Sequence, residues 1–429
     1  MRLHKLSLTN FRGFASLELT LDPELTVLVG VNGAGKTSIL DAIAKMLSSF
    51  VNPLWPLRHT QGATYRLGDL REGCVTSEVS LDLEVFAKAH TLILRSGAIR
   101  RDLSVNAKSD LSALDAITGE MEKSLSVGGS ALPLAILLPT NRSVLEIPSR
   151  NRSDNSVDET SAYAGALEGG ASNFRAFFDW FRDEEDLFNE QQVRTNRGNE
   201  LFTEPEAGHS WIPVIRSAIE ALFPGGKNLR VERRPQRMTI EVKGTRIDVA
   251  QLSDGEKCLL AMAGDIARRM VLAAPGGTNP LETEAVILID EIELHLHPGL
   301  QRTILPRLRK AFPKVQLIVT THSPQVLSSV HSKNVRLLED FTLRPLTHAT
   351  WHRDTNRILE SAFGDAGRPP EVAEKLRLLR DAVDSDEVDV ARGLIRELRA
   401  MVEGEDPDVF FLEQLLPPEQ PEDGREVAE

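Results

Sequence analysis

The sequence has little cysteine and no long apolar run. Its 429 residues include two cysteines, Cys74 and Cys258, which are too few for a disulfide framework or a four-ligand zinc site. No stretch approaches the roughly 18 consecutive apolar residues of a transmembrane helix. The first residues, MRLHKLSLTNFRGF, alternate apolar and polar side chains and lack the apolar region of a secretory signal. We therefore expect no membrane partner and a reducing cytoplasm as the compartment.

Composition and charge place few limits on function. Apolar residues make up 41% and charged residues 26% of the chain, which is typical of globular proteins, and the length predicts two or three lobes. Residues 371–429 hold 18 acidic and 7 basic side chains, so most of the net charge of −13 lies there. The remainder is nearly neutral. Global charge therefore neither indicates nor excludes nucleic-acid binding, which would have to be local.

Hydrophobic periodicity predicts a mixed α/β chain. An apolar strand, a helix and a second apolar strand over 285–320 form a β–α–β rhythm that implies a parallel, buried sheet. No internal repeat or sustained heptad pattern is visible. Strands are predicted over 2–8, 16–21, 25–29, within 79–95, over 132–138, within 229–244, over 285–290 and over 315–320. Helices are predicted over 36–49, 174–190, 211–222, 255–273 and 299–311, with a helical hairpin over 371–403 that breaks near Asp384–Asp386.

Residues 30–37, GVNGAGKT, match the P-loop pattern G-x-x-x-x-G-K-[ST] in full. The segment follows a predicted strand and opens a predicted helix, which is the context the motif requires. Backbone N–H groups of such a loop bind phosphate oxygens, the lysine reaches the β- and γ-phosphates, and the threonine hydroxyl binds Mg²⁺. The predicted nucleotide-binding residues of this loop are Asn32, Gly33, Ala34, Gly35, Lys36, Thr37 and Ser38.

A second motif, Ile287-Leu288-Ile289-Asp290-Glu291, ends a predicted strand with two carboxylates. A strand of this kind in a P-loop protein is typical of a Walker B motif. Asp290 is predicted to hold Mg²⁺ together with Thr37, and Glu291 to orient or deprotonate the attacking water. The alternative is a solvated strand end without chemistry.

Two further motifs give the sequence its resemblance to the ABC ATPase superfamily. The segment LSDGEK, residues 252–257, is a variant of that superfamily's LSGGQ signature, and TTHSP, residues 320–324, matches its switch histidine. The resemblance implies that His322 contacts the γ-phosphate. It also implies that Ser253, Asp254 and Gly255 bind the nucleotide of a second subunit. Ser253 with Glu256 three residues later is also a capping box, and the two interpretations are compatible.

The segment LTNFRGF, residues 8–14, resembles the N-terminus of SMC-, RecF- and OLD-type ATPases. In these relatives an arginine at the position of Arg12 reaches the nucleotide phosphates; the alternative is a surface arginine in a turn. The chain lacks the long coiled coil of SMC proteins. It also lacks a convincing set of Toprim carboxylates after His322, so we expect no nuclease site of its own.

The run DEIELHLHP, residues 290–298, contains two alternate histidines. On a strand, His295 and His297 could share a metal, but only two ligands are visible. The ABC resemblance instead implies that this stretch is the D-loop at a dimer interface, and that Glu293 belongs to the same interface.

The C-terminal part resembles the tail of PtuA-type ATPases of Septu antiphage systems, which also occur with some retrons. The resemblance rests on WHRDTNRILE, residues 351–360, on Phe363-Gly364 and Arg368-Pro369, and on the acidic hairpin that follows. Near the middle, LPTNR, residues 138–142, matches a motif of that group without its tyrosine. Such ATPases act with a separately encoded HNH nuclease.

We therefore predict an ABC-type P-loop ATPase head with a mixed sheet, an inserted lobe and a C-terminal helical hairpin. The predicted ATPase domain spans 1–345, divided into 1–140 and 226–345 by a mostly helical segment over about 141–225. A helical region, 346–416, and a disordered acidic tail, 417–429, follow. The resemblance implies ATP and Mg²⁺ as ligands, a homodimer or higher homo-oligomer around ATP, and control of an HNH nuclease in antiphage defence.

The alternative is a DNA-repair or recombination ATPase of RecF or SMC type that binds DNA directly. DNA or another nucleic acid thus stays open as a partner, and salt-sensitive binding by the ATPase alone would favour it. Solvated hairpin charges are the simpler interpretation of its candidate contacts. These contacts are Arg95, Arg100, Arg101, Arg230, Arg233, Arg234 and Arg237.

Overall fold

The structure is a computed structural model of the full chain. It describes residues 1–51, 67–97, 99–100, 103–104, 109–127, 132–140, 159–167, 172–196, 210–274, 279–346, 349–353, 355, 358–359, 368–402 and 404–417. Several features named above lie outside these residues, namely Asn141 and Arg142, the side chains of Arg100 and Arg101, Phe363-Gly364 and the end of the tail, 418–429.

The described elements follow the α/β order that the sequence predicts. The strands are β1 Arg2–Phe11, β2 Phe14–Thr20, β3 Leu25–Val29, β4 Thr76–Val85, β5 Lys88–Gly97, β6 Ile99–Arg100, β7 Leu103–Ser104, β8 Leu134–Leu138, β9 Gly226–Arg233, β10 Gln236–Val242, β11 Thr245–Asp248, β12 Ala285–Ile289, β13 Val315–Thr321, β14 Val335–Glu339 and β15 Thr342–Arg344. The helices are α1 Lys36–Val51, α2 Ser112–Val127, α3 Ser172–Asn196, α4 Ile212–Leu222, α5 Asp254–Ala273, α6 Pro298–Gln301, α7 Ile304–Ala311, α8 Pro324–Leu327, α9 Pro370–Asp384, α10 Val388–Met401 and α11 Pro407–Gln414.

A six-stranded sheet in the order β15-β14-β3-β13-β12-β8 carries the centre of the fold. Its strands are parallel except for β15, which pairs with β14 in the antiparallel direction. Every residue of β3, β8, β12 and β13 is buried. Both faces of a parallel sheet are covered, which explains why these strands are apolar without alternation. The mixed α/β fold class is confirmed.

Among the described residues, two larger antiparallel sheets and the two-stranded pair β6-β7 accompany the central one. The first has the order β2-β1-β4-β5, and β4 alternates buried and half-buried residues as a sheet with one covered face requires. A tight turn joins β1 to β2, with Asn10 and Arg12 at φ of 51° and 49°. The second has the order β11-β10-β9. Its strand β11 was not predicted.

The inserted segment supplies two helices to the surroundings of α5. Both α3 and α4 pack against α5, and a Cβ on Gly264 would lie 2.6 Å from the ring of Phe177, so the helices can approach this closely only at a glycine. Inside this packing, the fully buried Arg269 donates to Asp265 at 2.9 Å and to the carbonyl of Ala162 at 2.6 Å. Helix α5 is therefore fixed by both apolar packing and a buried ion pair.

The predicted helix over 299–311 is wrong in one respect, because the structure divides it into α6 and α7. Pro306 explains the division. Proline has no N–H and clashes with the preceding turn of a helix interior, but it is accepted in a first turn, where N–H groups have no helical acceptor. A new helix that begins at Ile304 places Pro306 in its first turn.

The chain divides into two compact units, Met1–Thr355 and Asn356–Glu429. The second contains the predicted hairpin as α9 and α10, followed by α11, which lies within the predicted helical region 346–416. The core of this unit is formed by Val372, Leu376, Leu379, Ala382, Ala391, Ile395, Leu398, Val409 and Leu412. Among the helices described in either unit, none is long and apolar enough to cross a membrane.

Candidate nucleotide site

The P-loop connects the buried end of β3 to the N-terminus of α1. Gly30, Gly33 and Gly35 have φ of 154°, 83° and 99°, a region that side chains rarely adopt. A Cβ on Gly30 would lie 2.2 Å from the carbonyl oxygen of Leu338, and one on Gly35 would lie 2.5 Å from the ring of Phe14. At Gly33 no atom would lie within 4 Å. Two glycines are thus required by packing, and the third borders open space at a helix N-terminus, where anions bind.

The Lys36 side chain lies across this loop. Its Nζ donates to the carbonyls of Gly30 and Val31, each at 3.0 Å, and the residue is 6% exposed. Burial lowers the pKa of Lys36, and the carboxylates of Asp290, Glu291 and Glu293 act in the opposite direction. The ammonium therefore faces the acidic ends of the neighbouring strands.

Thr37 and Asp290 lie in direct contact although 253 positions separate them in the sequence. The Thr37 hydroxyl donates to Oδ2 of Asp290 at 3.0 Å, and Asp290 is 4% exposed. Thr320 at the end of β13 donates to Oδ1 of the same carboxylate at 2.6 Å. The parallel register, which pairs Ile289 with Val319, brings the ends of β12 and β13 to one edge. Three oxygen-bearing side chains from three elements thus meet there.

Glu291 and His322 complete this edge. Glu291 has φ of 46°, and its N–H donates to the hydroxyl of Thr320 at 2.7 Å. A positive φ at a non-glycine residue is a strained conformation that its surroundings must hold. His322 follows β13 and is half-buried. Burial and then the charge of Lys36 lower the pKa of His322, against the influence of Glu293, Glu291 and Asp290.

The structure gives the Glu293 side chain two hydrogen bonds within the chain. Its Oε2 accepts a hydrogen bond from the Thr321 hydroxyl at 2.8 Å, and its Oε1 accepts the backbone N–H of His322. The carboxylate therefore lies against the end of β13, beside the predicted switch histidine.

Arg12 lies beside the first turns of α1. Its guanidinium donates to Asp41 at 2.7 Å, to Asp69 at 3.0 Å and to the hydroxyl of Ser38 at 3.2 Å. The pKa of Arg12 is raised, because the two carboxylates more than offset burial, which acts to lower it. Lys45 binds the same Asp69. A four-member charge network therefore holds Arg12 close to the P-loop helix.

The signature segment forms the start of α5. Ser253 is the N-cap, and it forms with Glu256 the capping box that the spacing predicted. The side chains of Ser253 and Asp254 are exposed. A Cβ on Gly255 would lie 2.4 Å from the carbonyl oxygen of His295, so this position accepts only glycine. Gly255 thus packs closely against another segment of the same chain. The Ser253 side chain, by contrast, is exposed to solvent.

The two histidines of the HLH segment do not lie on a strand. His295 has φ of 65° in a turn, and His297 caps α6, where its Nδ1 accepts the N–H of Gly299 at 3.2 Å. The possibility that His295 and His297 share a metal from one face of a strand is therefore wrong.

Three of the arginines considered as DNA contacts are paired with carboxylates. Arg95 donates to Glu78 at 2.6 Å, Arg237 donates to Glu232 at 2.7 Å, and Arg233 binds Asp186. The charge of these three arginines is therefore balanced locally.

Mg²⁺ fits the oxygens gathered at this edge. A hydroxyl and a carboxylate are ligands that Mg²⁺ prefers, and the ion is usually bound by one or two such groups together with phosphates and water. No group of three or more His, Cys, Asp or Glu side chains able to hold a metal occurs among the described residues. Thr37 and Asp290 would therefore hold Mg²⁺ jointly with nucleotide phosphates.

Comparison with known proteins agrees with this geometry. Residues 1–88 match the family described as "AAA ATPase domain", and residues 141–328 match "AAA domain, putative AbiEii toxin, Type IV TA system". The chain is an ATPase with AAA-type domains. It is 29% identical over 424 residues to a retron Ec83 probable ATPase of Escherichia coli, covering 86% of this ATPase and 78% of that protein. Nucleotide binding follows from these domains.

A PtuA-type ATPase, the group that the C-terminal part of the sequence resembles, is also among the relatives. The Septu protein PtuA of Bacillus thuringiensis is 22% identical to the ATPase over 395 residues, which is 90% of each chain. The resemblance to PtuA is confirmed. The solved SMC head bound to the C-winged helix domain of ScpA matches at 16% identity with a TM-score of 0.46, over 80% of this chain and 97% of that one.

Three residues of the site were not predicted from the sequence. Thr320 ends an apolar strand next to the Walker B strand, and a hydroxyl at that point is a usable signal. No local sequence pattern marks Asp41 or Asp69, because each binds an arginine that is distant in the sequence. Asp69, for example, lies 57 positions from Arg12.

Proposed function

We propose that this ATPase binds Mg·ATP between two copies of itself and hydrolyses it. The observation that carries the proposal is the contact of Thr37 with Asp290 at 3.0 Å, next to the P-loop and beside Glu291 and His322. In this arrangement the P-loop N–H groups and Lys36 bind phosphates, and Thr37 and Asp290 hold Mg²⁺, which when bound neutralises phosphate charge.

The remaining residues serve the attack by water. Glu291 orients a water molecule or accepts its proton, and His322 donates a hydrogen bond to the terminal phosphate. Arg12, which Asp41 and Asp69 hold beside the first turns of α1, contacts a phosphate of the nucleotide in this proposal. The exposed Ser253 donates its hydroxyl, and Asp254 and Gly255 donate their backbone N–H groups, to the phosphate of the second copy; the capped N-terminus of α5 favours an anion there.

We further propose a role in antiphage defence, in which the nucleotide state of the dimer controls a separately encoded HNH nuclease. The similarity to retron and Septu ATPases supports the defence role. The nuclease partner rests on the resemblance of the tail to PtuA-type ATPases. The paired states of Arg95, Arg233 and Arg237 give the DNA-repair alternative no support.

Glu291→Gln is the central test of the chemistry. The variant is expected to retain ATP binding, to lose about 10²- to 10⁴-fold in turnover, as the removal of a general base does, and to accumulate as an ATP-bound dimer. Steady-state turnover and light scattering with and without ATP measure these effects. Turnover at the wild-type rate would remove Glu291 from its role.

Ser253→Asp in the Glu291→Gln background is the matched control for dimerisation. Aspartate still caps α5, but its charge would repel a phosphate of the second copy. We expect a folded, ATP-binding monomer. A dimer that survives this substitution would contradict the composite site.

The partner is tested separately by affinity purification of the chain from its native host. We expect an HNH nuclease in stoichiometric amount. A clean homodimer, or one that carries repair factors, would overturn the defence assignment and leave the ATPase assignment intact.

A further inference from the structure

The turn that follows the Walker B strand connects three parts of the nucleotide site. Two successive hydrogen bonds form it, from the N–H of Leu294 to the carbonyl of Glu291 and from the N–H of Leu296 to the carbonyl of Glu293, each at 2.9 Å. The turn therefore begins at the proposed water-orienting residue and continues into the HLH segment.

Glu293 projects from this turn onto the end of β13. One carboxylate oxygen accepts the hydroxyl of Thr321 at 2.8 Å, and the other accepts the backbone N–H of His322. Hydrogen bonds to a charged acceptor are roughly twice as strong as neutral ones. A single side chain thus fixes the main chain at the residue that carries the imidazole.

The same turn is in close contact with the signature helix. The carbonyl oxygen of His295 occupies the space where a Cβ on Gly255 would lie, at 2.4 Å. Packing this close leaves no room for independent movement of the two segments. A shift of the start of α5 would therefore move the turn and, through Glu293, the main chain of His322.

We propose that Glu293 is a positioning residue for His322, and that it transmits the position of the signature segment to the switch histidine. Glu293 acts through the His322 N–H and does not itself touch the nucleotide. The inference rests on the proposed function, because it assumes that His322 acts on the nucleotide. Glu293 would thereby connect the two sites: when the nucleotide of the second copy binds at Ser253, the effect is transmitted through Glu293 to His322 of this copy.

A double-mutant cycle tests the consequence of this contact. Glu293→Ala is expected to lower kcat by about 10- to 100-fold, the cost of a misplaced catalytic group, and to leave the KM for ATP unchanged within about twofold, because the P-loop is untouched. In a His322→Ala background the same change is expected to have little further effect, since two residues that act as a unit are not additive.

Glu293→Gln is the conservative variant. Its amide oxygen still accepts one hydrogen bond, so it is expected to recover most of the turnover that Glu293→Ala loses. Glu282→Ala is the matched control, because Glu282 is an exposed carboxylate at the opposite end of β12, and it is expected to behave as wild type.

A readout independent of turnover is the backbone amide resonance of His322 in protein labelled with ¹⁵N-histidine. A carboxylate acceptor moves an amide proton downfield, so Glu293→Ala is expected to shift this resonance upfield and Glu282→Ala to leave it in place. An unchanged resonance in Glu293→Ala would overturn the proposal.

The outcomes also separate this inference from the proposed function. If His322→Ala turns over as wild type does, the role of His322 fails, and the positioning role of Glu293 falls with it. If His322→Ala is impaired but Glu293→Ala lowers kcat equally in both backgrounds, or raises the KM for ATP, the coupling alone is overturned and the ATPase site stands.

Discussion

Charged side chains are used in opposite ways in the nucleotide site and in the C-terminal helices. In the site, Lys36 and Asp290 are buried and each is held by hydrogen bonds. In the C-terminal unit the ion pairs Lys375–Glu397 and Arg399–Glu413 lie on the outside, over an aliphatic core. Buried charges cost desolvation energy and are retained where chemistry needs them, whereas exposed pairs contribute little to stability.

This difference predicts which substitutions affect the fold and which affect function. Removing a polar group from the nucleotide site should impair binding or turnover and leave the fold in place. Removing an apolar group from the C-terminal core should unfold that unit and leave nucleotide binding intact.

Leu379→Ala should have the largest effect. Leu379 is fully buried in the core of the C-terminal unit, and a buried Leu→Ala change lowers the free energy of unfolding by about 2–5 kcal/mol. A unit this small has little stability to lose. We expect rapid hydrogen exchange and proteolysis over α9–α11, with ATP affinity retained.

The neighbouring Leu378→Ala is the matched control, because Leu378 is 41% exposed. It should change the free energy of unfolding by less than about 0.5 kcal/mol. Equal effects of the two substitutions, or loss of ATP binding in Leu379→Ala, would break the comparison between the units.

Lys36→Ala should come next, with an effect on function alone. The loss of a charged hydrogen-bond donor to phosphate should weaken ATP binding by about a hundredfold, as measured by calorimetric titration. The melting temperature without nucleotide should not fall, because the substitution removes a buried charge. Lys88→Ala, on an exposed pair with Glu120, is the control. Normal ATP binding by Lys36→Ala would contradict the P-loop assignment.

The smallest effect should be a pH dependence of stability that originates at His322. Burial and Lys36 lower its pKa below the ordinary value of 6.5. Between the folded-state pKa and 6.5 the unfolded chain binds more protons, so stability is lost as pH falls through this window and is fully present above it.

The comparison that isolates this effect is wild type against His322→Gln, both without nucleotide. From pH 7.5 to pH 5.5 the melting temperature of wild type should fall more steeply than that of the variant, which lacks the titrating group. Parallel curves for the two proteins would show that the pKa of His322 is not lowered by folding.

Much of the site was predictable because short patterns carry it. The glycines of the P-loop, the capping box at Ser253 and the apolar strand before Asp290 are local features, and the structure places each of them on the expected type of element. The division of the helix at Pro306 was predictable in principle, since the proline itself marks the first turn of α7.

The sequence by itself determined the buried strands β3, β8, β12 and β13, the loop glycines and the apolar stripes of α9 and α10, because these follow from backbone geometry and from the pattern of burial over a few residues. Only the tertiary structure decided that Asp69 binds Arg12, that Thr320 holds Asp290, and that Glu293 holds the main chain of His322. These contacts join residues about 30 to 57 positions apart. The contacts of Thr320 and Glu293 exist because the parallel strands β12 and β13 end at one edge of a sheet, whose strand order is fixed by packing across the whole domain. Asp69 meets Arg12 because the main chain of residues 69–71 bonds to the turn that follows β1.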